Sequence, residues 1–290
     1  MLVACDFDGT LAPIVARPED AAPLPGAVAA LSALAGRRDC RVAVVSGRGL
    51  SDLRARCPVA GCWFVGGHGN EEGEDEAAGV ARPPFVGAAL PLVGLWPSVD
   101  PRQPTPAGAQ GVSELPRRAR ARDPRVRQAL AATAERLRLR LGEWPGSRLE
   151  AKPYSLAVHF RQAPERAEAI RQAFSELAGS EFRVLLGRQV VELLPAEALT
   201  KGHAVQRLRA RLGCDLAIYF GDDGTDEDVF RLADPQVIGV KVEHGEAPQG
   251  TTRADFSVPS PKAVETALET IYYLRAHAEK KSVASQAFPT

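Results

Sequence analysis

Asp6-Phe7-Asp8-Gly9-Thr10-Leu11 follows directly on the apolar run Leu2-Val3-Ala4-Cys5. A run of that length suits one buried parallel strand, so both carboxylates would leave its carboxyl end, where open α/β sheets keep their ligand crevice. Aspartates at i and i+2 of an extended segment share one side of the chain, while Phe7 points away and Gly9 permits a tight turn. Such a pair can face one cation and one phosphoryl group, one acid serving as nucleophile and the other as proton donor. Asp and Gly are also ordinary turn residues, so a solvated turn is the competing reading.

Three further segments supply other parts of a metal-dependent phosphoryl-transfer site, each after an apolar run. Val42-Ala43-Val44-Val45 leads into Ser46-Gly47-Arg48, where a hydroxyl could donate to a phosphate oxygen before Gly47 turns the chain. Thr200-Lys201-Gly202 begins a helical pattern through Ala204, Val205 and Leu208, which puts Lys201 near a helix start. A cation there could balance phosphate charge, although an exposed lysine is the plainer reading of that residue alone. Leu216 to Phe220 then runs into Gly221-Asp222-Asp223-Gly224-Thr225-Asp226-Glu227-Asp228, five acids within seven residues. Acids so crowded repel one another unless a cation or a helix N-terminus offsets them, and this points to a hard divalent metal.

In this order and spacing the four segments resemble the haloacid dehalogenase superfamily of phosphohydrolases. Further segments make the chain similar to the trehalose-6-phosphate phosphatases: Gly66-Gly67-His68-Gly69, Glu150-Ala151-Lys152-Pro153-Tyr154-Ser155-Leu156-Ala157-Val158-His159-Phe160-Arg161, and Gly187-Arg188-Gln189-Val190-Val191-Glu192. The Glu-x-Lys-x-x-Ser-x-x-x-His-x-Arg segment carries most of the narrowing, because the Asp and Lys motifs belong to the whole superfamily. Gly67 departs from the Ser or Asn usual there, and Ala151 from a common polar residue.

The resemblance implies an α/β fold, with a haloacid-dehalogenase-like Rossmannoid core around a parallel sheet and an inserted smaller α/β cap. It implies a phosphatase that hydrolyses trehalose 6-phosphate to trehalose and inorganic phosphate through an aspartyl-phosphate, with Mg2+ as cofactor. Asp6 would be the nucleophile, and Asp8 the proton donor and later acceptor. The Asp6 carboxylate, the Asp8 backbone carbonyl and Asp222 would hold the metal. Ser46 and Lys201 would bind the remaining phosphoryl oxygens, with Asp223 or Asp226 orienting the metal shell and Lys201 from behind. Substrate contacts would come from Gly47, Arg48, His68, Glu150, Lys152, Ser155, His159, Arg161 and Glu192. A phosphatase or phosphomutase for another sugar phosphate, such as sucrose phosphate, is the alternative. A catalytically silent sugar-phosphate sensor is a third reading, opposed by the intact Asp6, Asp8, Lys201 and Asp222. A functional link to a trehalose-phosphate synthase is the one protein partnership the resemblance suggests.

The rest of the sequence must position these residues. The 290 residues carry 45% apolar side chains, ordinary for a globular α/β protein and enough for one large core or two smaller ones. A formal charge of zero gives no electrostatic footprint for nucleic acid or an anionic membrane. The five cysteines are odd in number and lack metal-ligand spacing, which argues for reduced thiols and a cytoplasmic protein. Met1 leads straight into the first strand, so no signal peptide is expected, and the apolar stretch from Phe85 to Trp96 reads as too short to span a bilayer.

Periodicity assigns residues 1–82 and 197–290 to two parts of the core, and 83–196 to a linker and an inserted cap. The first part reads as strand, helix 26–34, strand, helix 50–56 and strand 62–65, the alternation that builds a parallel sheet. Pro83 to Pro116, rich in Pro and Gly, reads as an irregular excursion. Asp123-Pro124 reads as an N-cap with proline at the first helical position, opening a helix through Leu130, Leu137 and Leu141. Strands on either side of Pro153-Tyr154, a helix at 164–178 and strands near 182–186 and 189–194 complete an αββαββ unit. The tail from Lys280 to Thr290 is expected to fray.

Overall fold

The computed structural model describes residues 1–74, 123–187, 189–244 and 252–286. In chain order the elements begin with β1 (Leu2–Cys5), α1 (Pro25–Ala35), β2 (Arg41–Val45), α2 (Leu50–Arg56), β3 (Trp63–Gly66) and β4 (Glu71–Glu74). There follow α3 (Pro124–Arg140), β5 (Arg148–Lys152), β6 (Ser155–His159), α4 (Ala167–Ala178), β7 (Phe182–Gly187) and β8 (Val190–Pro195). The chain continues with α5 (Lys201–Arg211), β9 (Ala217–Gly221), α6 (Glu227–Phe230), β10 (Val237–Val242), β11 (Phe256–Val258) and α7 (Pro261–Gln286).

The first sheet has the order β11-β10-β9-β1-β2-β3-β4, parallel except where β4 runs antiparallel to β3. β1 and β2 are buried at every position, as unbroken apolar runs covered on both faces must be. One core lies on the side where Leu31 and Leu34 of α1 meet Val264 and Leu268 of α7, and a second where Val205 and Leu208 of α5 meet Tyr219. The chain leaves β1 for β2 on one side, and β9 and β10 lie on the other. β1 thus sits at the topological switch point, where such sheets open a crevice at their carboxyl ends.

β4 was not expected from Glu71-Glu72-Gly73-Glu74, which has poor strand propensity. Tertiary contacts supply what propensity lacks, since Arg207 Nε and Arg211 Nη1 of α5 each donate to the Glu72 carboxylate at 2.9 Å. The helix expected at 164–178 begins as a 3-10 turn, Pro164–Arg166, before α4 proper. The helical backbone of α7 runs on to Gln286 through residues expected to fray. The Pro83 to Pro116 excursion, the apolar stretch from Phe85 to Trp96 and the expected boundary at 82/83 lie outside the described residues.

The second sheet is antiparallel, in the order β5-β6-β8-β7, and α3 and α4 cover one of its faces. Asp123 caps α3 as its spacing predicts, accepting from the Arg125 backbone N–H at 2.8 Å with Pro124 at the first helical position. Pro153-Tyr154 is a two-residue hairpin loop between β5 and β6, in a register that sets Arg148 opposite His159, Glu150 opposite Ala157 and Lys152 opposite Ser155. Alternation then divides the sheet. Leu149, Leu156, Val158, Val191 and Leu193 face the helices, while Arg148, Glu150, Lys152, Ser155, His159 and Glu192 face the carboxyl edge of the first sheet.

Candidate active site

Asp6 emerges from β1 with 4% of its surface exposed. Lys201 meets it from the first turn of α5, where Thr200 caps the helix by accepting from the His203 backbone N–H. The lysine is 1% exposed, so the reading of an exposed side chain is overturned. Its Nζ lies 3.1 Å from Asp6 Oδ2, 2.8 Å from Asp226 Oδ1 and 3.9 Å from Asp223 Oδ1. Burial opposes the ammonium, yet Asp226 and Asp6 more than offset that and hold its pKa above the ordinary lysine value. Asp226 also accepts from Tyr219 Oη at 2.5 Å and from the Asp223 backbone N–H at 2.9 Å, so its oxygens are spent on support. Burial acts on Asp223 too, but Lys201 and the Thr225 hydroxyl pull it down to about 2.

Asp222 is placed differently. Gly9, at φ +77°, comes so close that a Cβ there would lie 2.1 Å from Asp222 Oδ2. No other residue both adopts that backbone and leaves the space. His244 Nε2 lies 2.9 Å from Asp222 Oδ2, and Lys241 Nζ donates to the Asp222 carbonyl. Asp222 Oδ1 is buried with no hydrogen-bond partner. Burial and the neighbouring Asp223 and Asp226 push Asp222 well up, and burial, the largest cause, does the same to Asp6. An orphaned carboxylate oxygen among crowded acids fits a hard divalent cation. Oxygens of Asp6, Asp223 and Asp226 also lie within 4.8 Å of one another, but Lys201 already fills the space between them. Within this acidic cluster, among the described residues, the buried oxygen left without a partner is Asp222 Oδ1.

Ser46 follows β2, and its Oγ accepts from the Arg48 backbone N–H at 3.2 Å. Arg48 clamps Asp8 with two hydrogen bonds of 2.6 and 2.7 Å, reaches Asp52 at 2.7 Å, and lies over the Phe7 ring. A guanidinium so occupied acts first on Asp8, where the sequence pointed to substrate.

From the second sheet, Lys152 Nζ donates to the Gly47 carbonyl and to Glu192 Oε1, both at 3.0 Å. Ser155 Oγ donates to the same Glu192 oxygen, and His68 Nε2 lies 2.9 Å from the other. Burial would raise Glu192, but Lys152 and His68 hold it well below the usual carboxylate range. His68 takes a left-handed backbone, φ 56°, and packs so closely on Gly47 that a Cβ there would lie 2.5 Å from its ring. His68 Nδ1 is buried without a hydrogen-bond partner. His159 Nε2 lies 2.8 Å from Glu150 Oε2 at the pocket wall, and that bond lowers the Glu150 pKa. Arg161 lines the same wall and donates to Gln189 at 3.0 Å. Arg188 lies outside the described residues.

These side chains enclose a cavity of about 500 Å³ between the two sheets. Its wall holds Asp6, Asp8, Ser46, Gly47, Arg48, His68, Lys201, Asp222 and Asp223 from the first sheet, and Glu150, Lys152, His159, Arg161 and Glu192 from the second. Ser155 and Asp226 stand behind that wall.

The trehalose-phosphatase family profile matches residues 4–77 and 126–262. The chain belongs to the trehalose-phosphatase family. A trehalose-phosphate phosphatase of Mycobacterium ulcerans is 34% identical over 266 residues, covering 89% of this chain. The chain spans 58% of that relative's length. Among solved structures, the C-terminal domain of the C. albicans trehalose-6-phosphate phosphatase has a TM-score of 0.66 at 19% identity, covering 93% of this chain and 91% of that one. The sucrose-phosphatase of Synechocystis sp. PCC6803, solved with sucrose and phosphate, has a TM-score of 0.52 at 17% identity, covering 92% and 96%. At such identities the likeness shows the fold, and it is the haloacid-dehalogenase-like α/β fold expected of a trehalose-phosphatase.

Several residues that line or support the pocket escaped the sequence reading. Arg148 was in reach of it, because it continues the alternation of Glu150 and Lys152 by one step. Tyr219 sits inside an apolar run, where nothing marks its hydroxyl as a partner of Asp226. Ile14, Val15, Glu19 and, beside Asp222, His244 come from loops and turns with no periodic signal, whereas Asp52 and Arg56 lie on α2, where they read as ordinary helix charges.

Proposed function

We propose that the protein hydrolyses trehalose 6-phosphate to trehalose and inorganic phosphate, with Asp6 as nucleophile. The observation that carries this is a buried Asp6–Lys201 pair at one end of a cavity whose other wall is a sheet of alternating polar side chains. Asp6 Oδ attacks phosphorus in line, the bond to the sugar oxygen breaks, and the phosphoryl group passes to the carboxylate as an aspartyl-phosphate. Lys201 and the Ser46 hydroxyl stabilise the equatorial oxygens. Asp8 gives a proton to the leaving sugar oxygen, then takes one from the water that cleaves the acyl-phosphate. Arg48 occupies both Asp8 oxygens, so the donor step requires that clamp to open.

Mg2+ is the cofactor we propose, held by the Asp6 carboxylate, the Asp8 carbonyl and Asp222. Once bound, it neutralises phosphoryl charge so that one anion can approach another. Asp226 and Asp223 keep Lys201 in place from behind. Glu150, Lys152, Glu192 and His68, with His159 and Arg161, read the sugar hydroxyls, and Ser155 holds Glu192 from behind. In this reading residues 1–82 and 197–290 form a catalytic core and 83–196 a linker and cap, in a cytoplasmic protein. Incubation with magnesium and a panel of sugar phosphates tests it through released inorganic phosphate. Trehalose 6-phosphate should be turned over in preference to sucrose 6-phosphate and hexose phosphates. Preference for sucrose 6-phosphate, or phosphoryl return to sugar without free phosphate, overturns it.

A further inference from the structure

The cavity extends past the residues just assigned. Arg148, Glu150 and Lys152 share one face of β5, and Lys152 marks the inner end through its bond to the Gly47 carbonyl, next to Ser46. At about 3.4 Å per residue, Arg148 lies roughly 14 Å farther out along the strand. One hexose ring does not fill that span, whereas two linked rings do. Opposite Arg148, from the 3-10 turn Pro18–Asp20 between β1 and α1, stands Glu19, and Ile14 and Val15 line the cavity with them.

We propose that Arg148 and Glu19, over the apolar floor of Ile14 and Val15, form a second sugar subsite that reads the hexose remote from the phosphate. The inference rests on the sugar-phosphate reading above and deepens it. Arg148 Nη2 and Glu19 Oε2 are 3.8 Å apart, beyond hydrogen-bond length, and their side chains are 56% and 50% exposed. A pair so open contributes little to stability, and its donors and acceptors remain available to sugar hydroxyls. The turn that carries Glu19 is nonetheless fixed in place. Arg48 Nη2 donates to the Pro18 carbonyl at 2.7 Å and Arg56 Nη1 to the Glu19 carbonyl at 2.5 Å. Both arginines also bind Asp52 at 2.7 Å. The clamp that holds Asp8 therefore also anchors the outer subsite, and a polar pair held by rigid supports above apolar contacts is the form a recognition site takes.

Calorimetric titration tests this in the full chain carrying Asp6→Asn, which prevents turnover, with magnesium present. Trehalose 6-phosphate and glucose 6-phosphate are the two ligands, and Arg148→Ala and Glu19→Gln are added singly. Each should weaken trehalose 6-phosphate binding roughly tenfold, the scale of one charged hydrogen bond, and leave glucose 6-phosphate within about twofold. Unchanged melting temperatures would show that the fold is intact. Equal losses on both ligands, no loss on either, or a parent protein that binds neither sugar phosphate would overturn the subsite. The hydrolysis reading fails separately, if the wild-type protein binds trehalose 6-phosphate by this pattern and releases no phosphate from it.

Discussion

Lys201 shows how far a single residue's role departs from its type. Lysine is mostly an exposed residue, and only its place at the start of a helical pattern, in a chain that also holds Asp6 and the acidic cluster, suggests otherwise. The structure buries it against Asp6, Asp226 and Asp223. Removing one partner of a buried charge cluster leaves the others uncompensated, at a cost of about 3 to 5 kcal/mol. Lys201→Ala should therefore lower the urea midpoint markedly as well as abolish turnover; a variant with wild-type stability would show that water reaches the cluster. Asp6→Asn should behave otherwise. It keeps the shape and reduces burial of charge, so circular dichroism should report a native fold while phosphate release drops by a factor of roughly 10³ or more. Retention of more than a small residue of activity would remove Asp6 from the nucleophile's role. That Asp6, Asp8, Ser46, Lys201 and Asp222 would meet at one cavity was legible because their segments each follow an apolar run. The clamp of Arg48 on Asp8 was not, since nothing local joins residues 40 positions apart.

Elements were legible where period and punctuation agreed. α2 has the expected bounds, and the hairpin at Pro153-Tyr154 and the cap at Asp123 stand where turn and cap chemistry placed them. β4 was illegible because its stabilising partners, Arg207 and Arg211, are far away in sequence. Register gives the second sheet its meaning. Opposite Ala157 on its two sides stand Glu150 and Glu192, so a small residue lies between two carboxylates on the polar face. Glu192 is faced by Lys152 and Ser155 on its own sheet and by His68 from the other. Its pKa is depressed in the fold, so its contribution to stability is complete above the ordinary glutamate value near 4.3 and is lost as pH falls through the folded value. The urea midpoint of the wild type should therefore drop below about pH 4 more steeply than that of Glu192→Gln, which has no such proton to gain. Parallel curves for the two proteins would show that Glu192 is not held ionised by this network.

At the scale of the whole molecule, a net charge of zero conceals a site built of opposed charges. Lys201 answers Asp6, Asp223 and Asp226, and Arg48 answers Asp8, but Asp222 retains an oxygen with no partner. Burial and its acidic neighbours raise its pKa, which is to say that the folded chain resists its charge. No periodicity could have shown this, because it depends on Gly9 bringing β1's exit against the end of β9. A bound divalent cation should remove the strain, and by linkage it should stabilise the fold. At a metal concentration about 100 times the dissociation constant the gain is about 2.7 kcal/mol, or several degrees in melting temperature for a chain of this size. Magnesium should produce that rise and sodium at matched ionic strength should not, since screening alone reaches buried charges weakly. Asp222→Asn provides the control. It deletes the disfavoured charge, so its melting temperature without metal should equal or exceed that of the wild type, while the rise with magnesium should vanish together with phosphate release. Those two effects have opposite signs, and a merely damaged fold would lower both temperatures. A wild type whose melting point ignores magnesium, and whose turnover survives excess chelator, would show instead that Asp222 is held apart for some purpose other than metal.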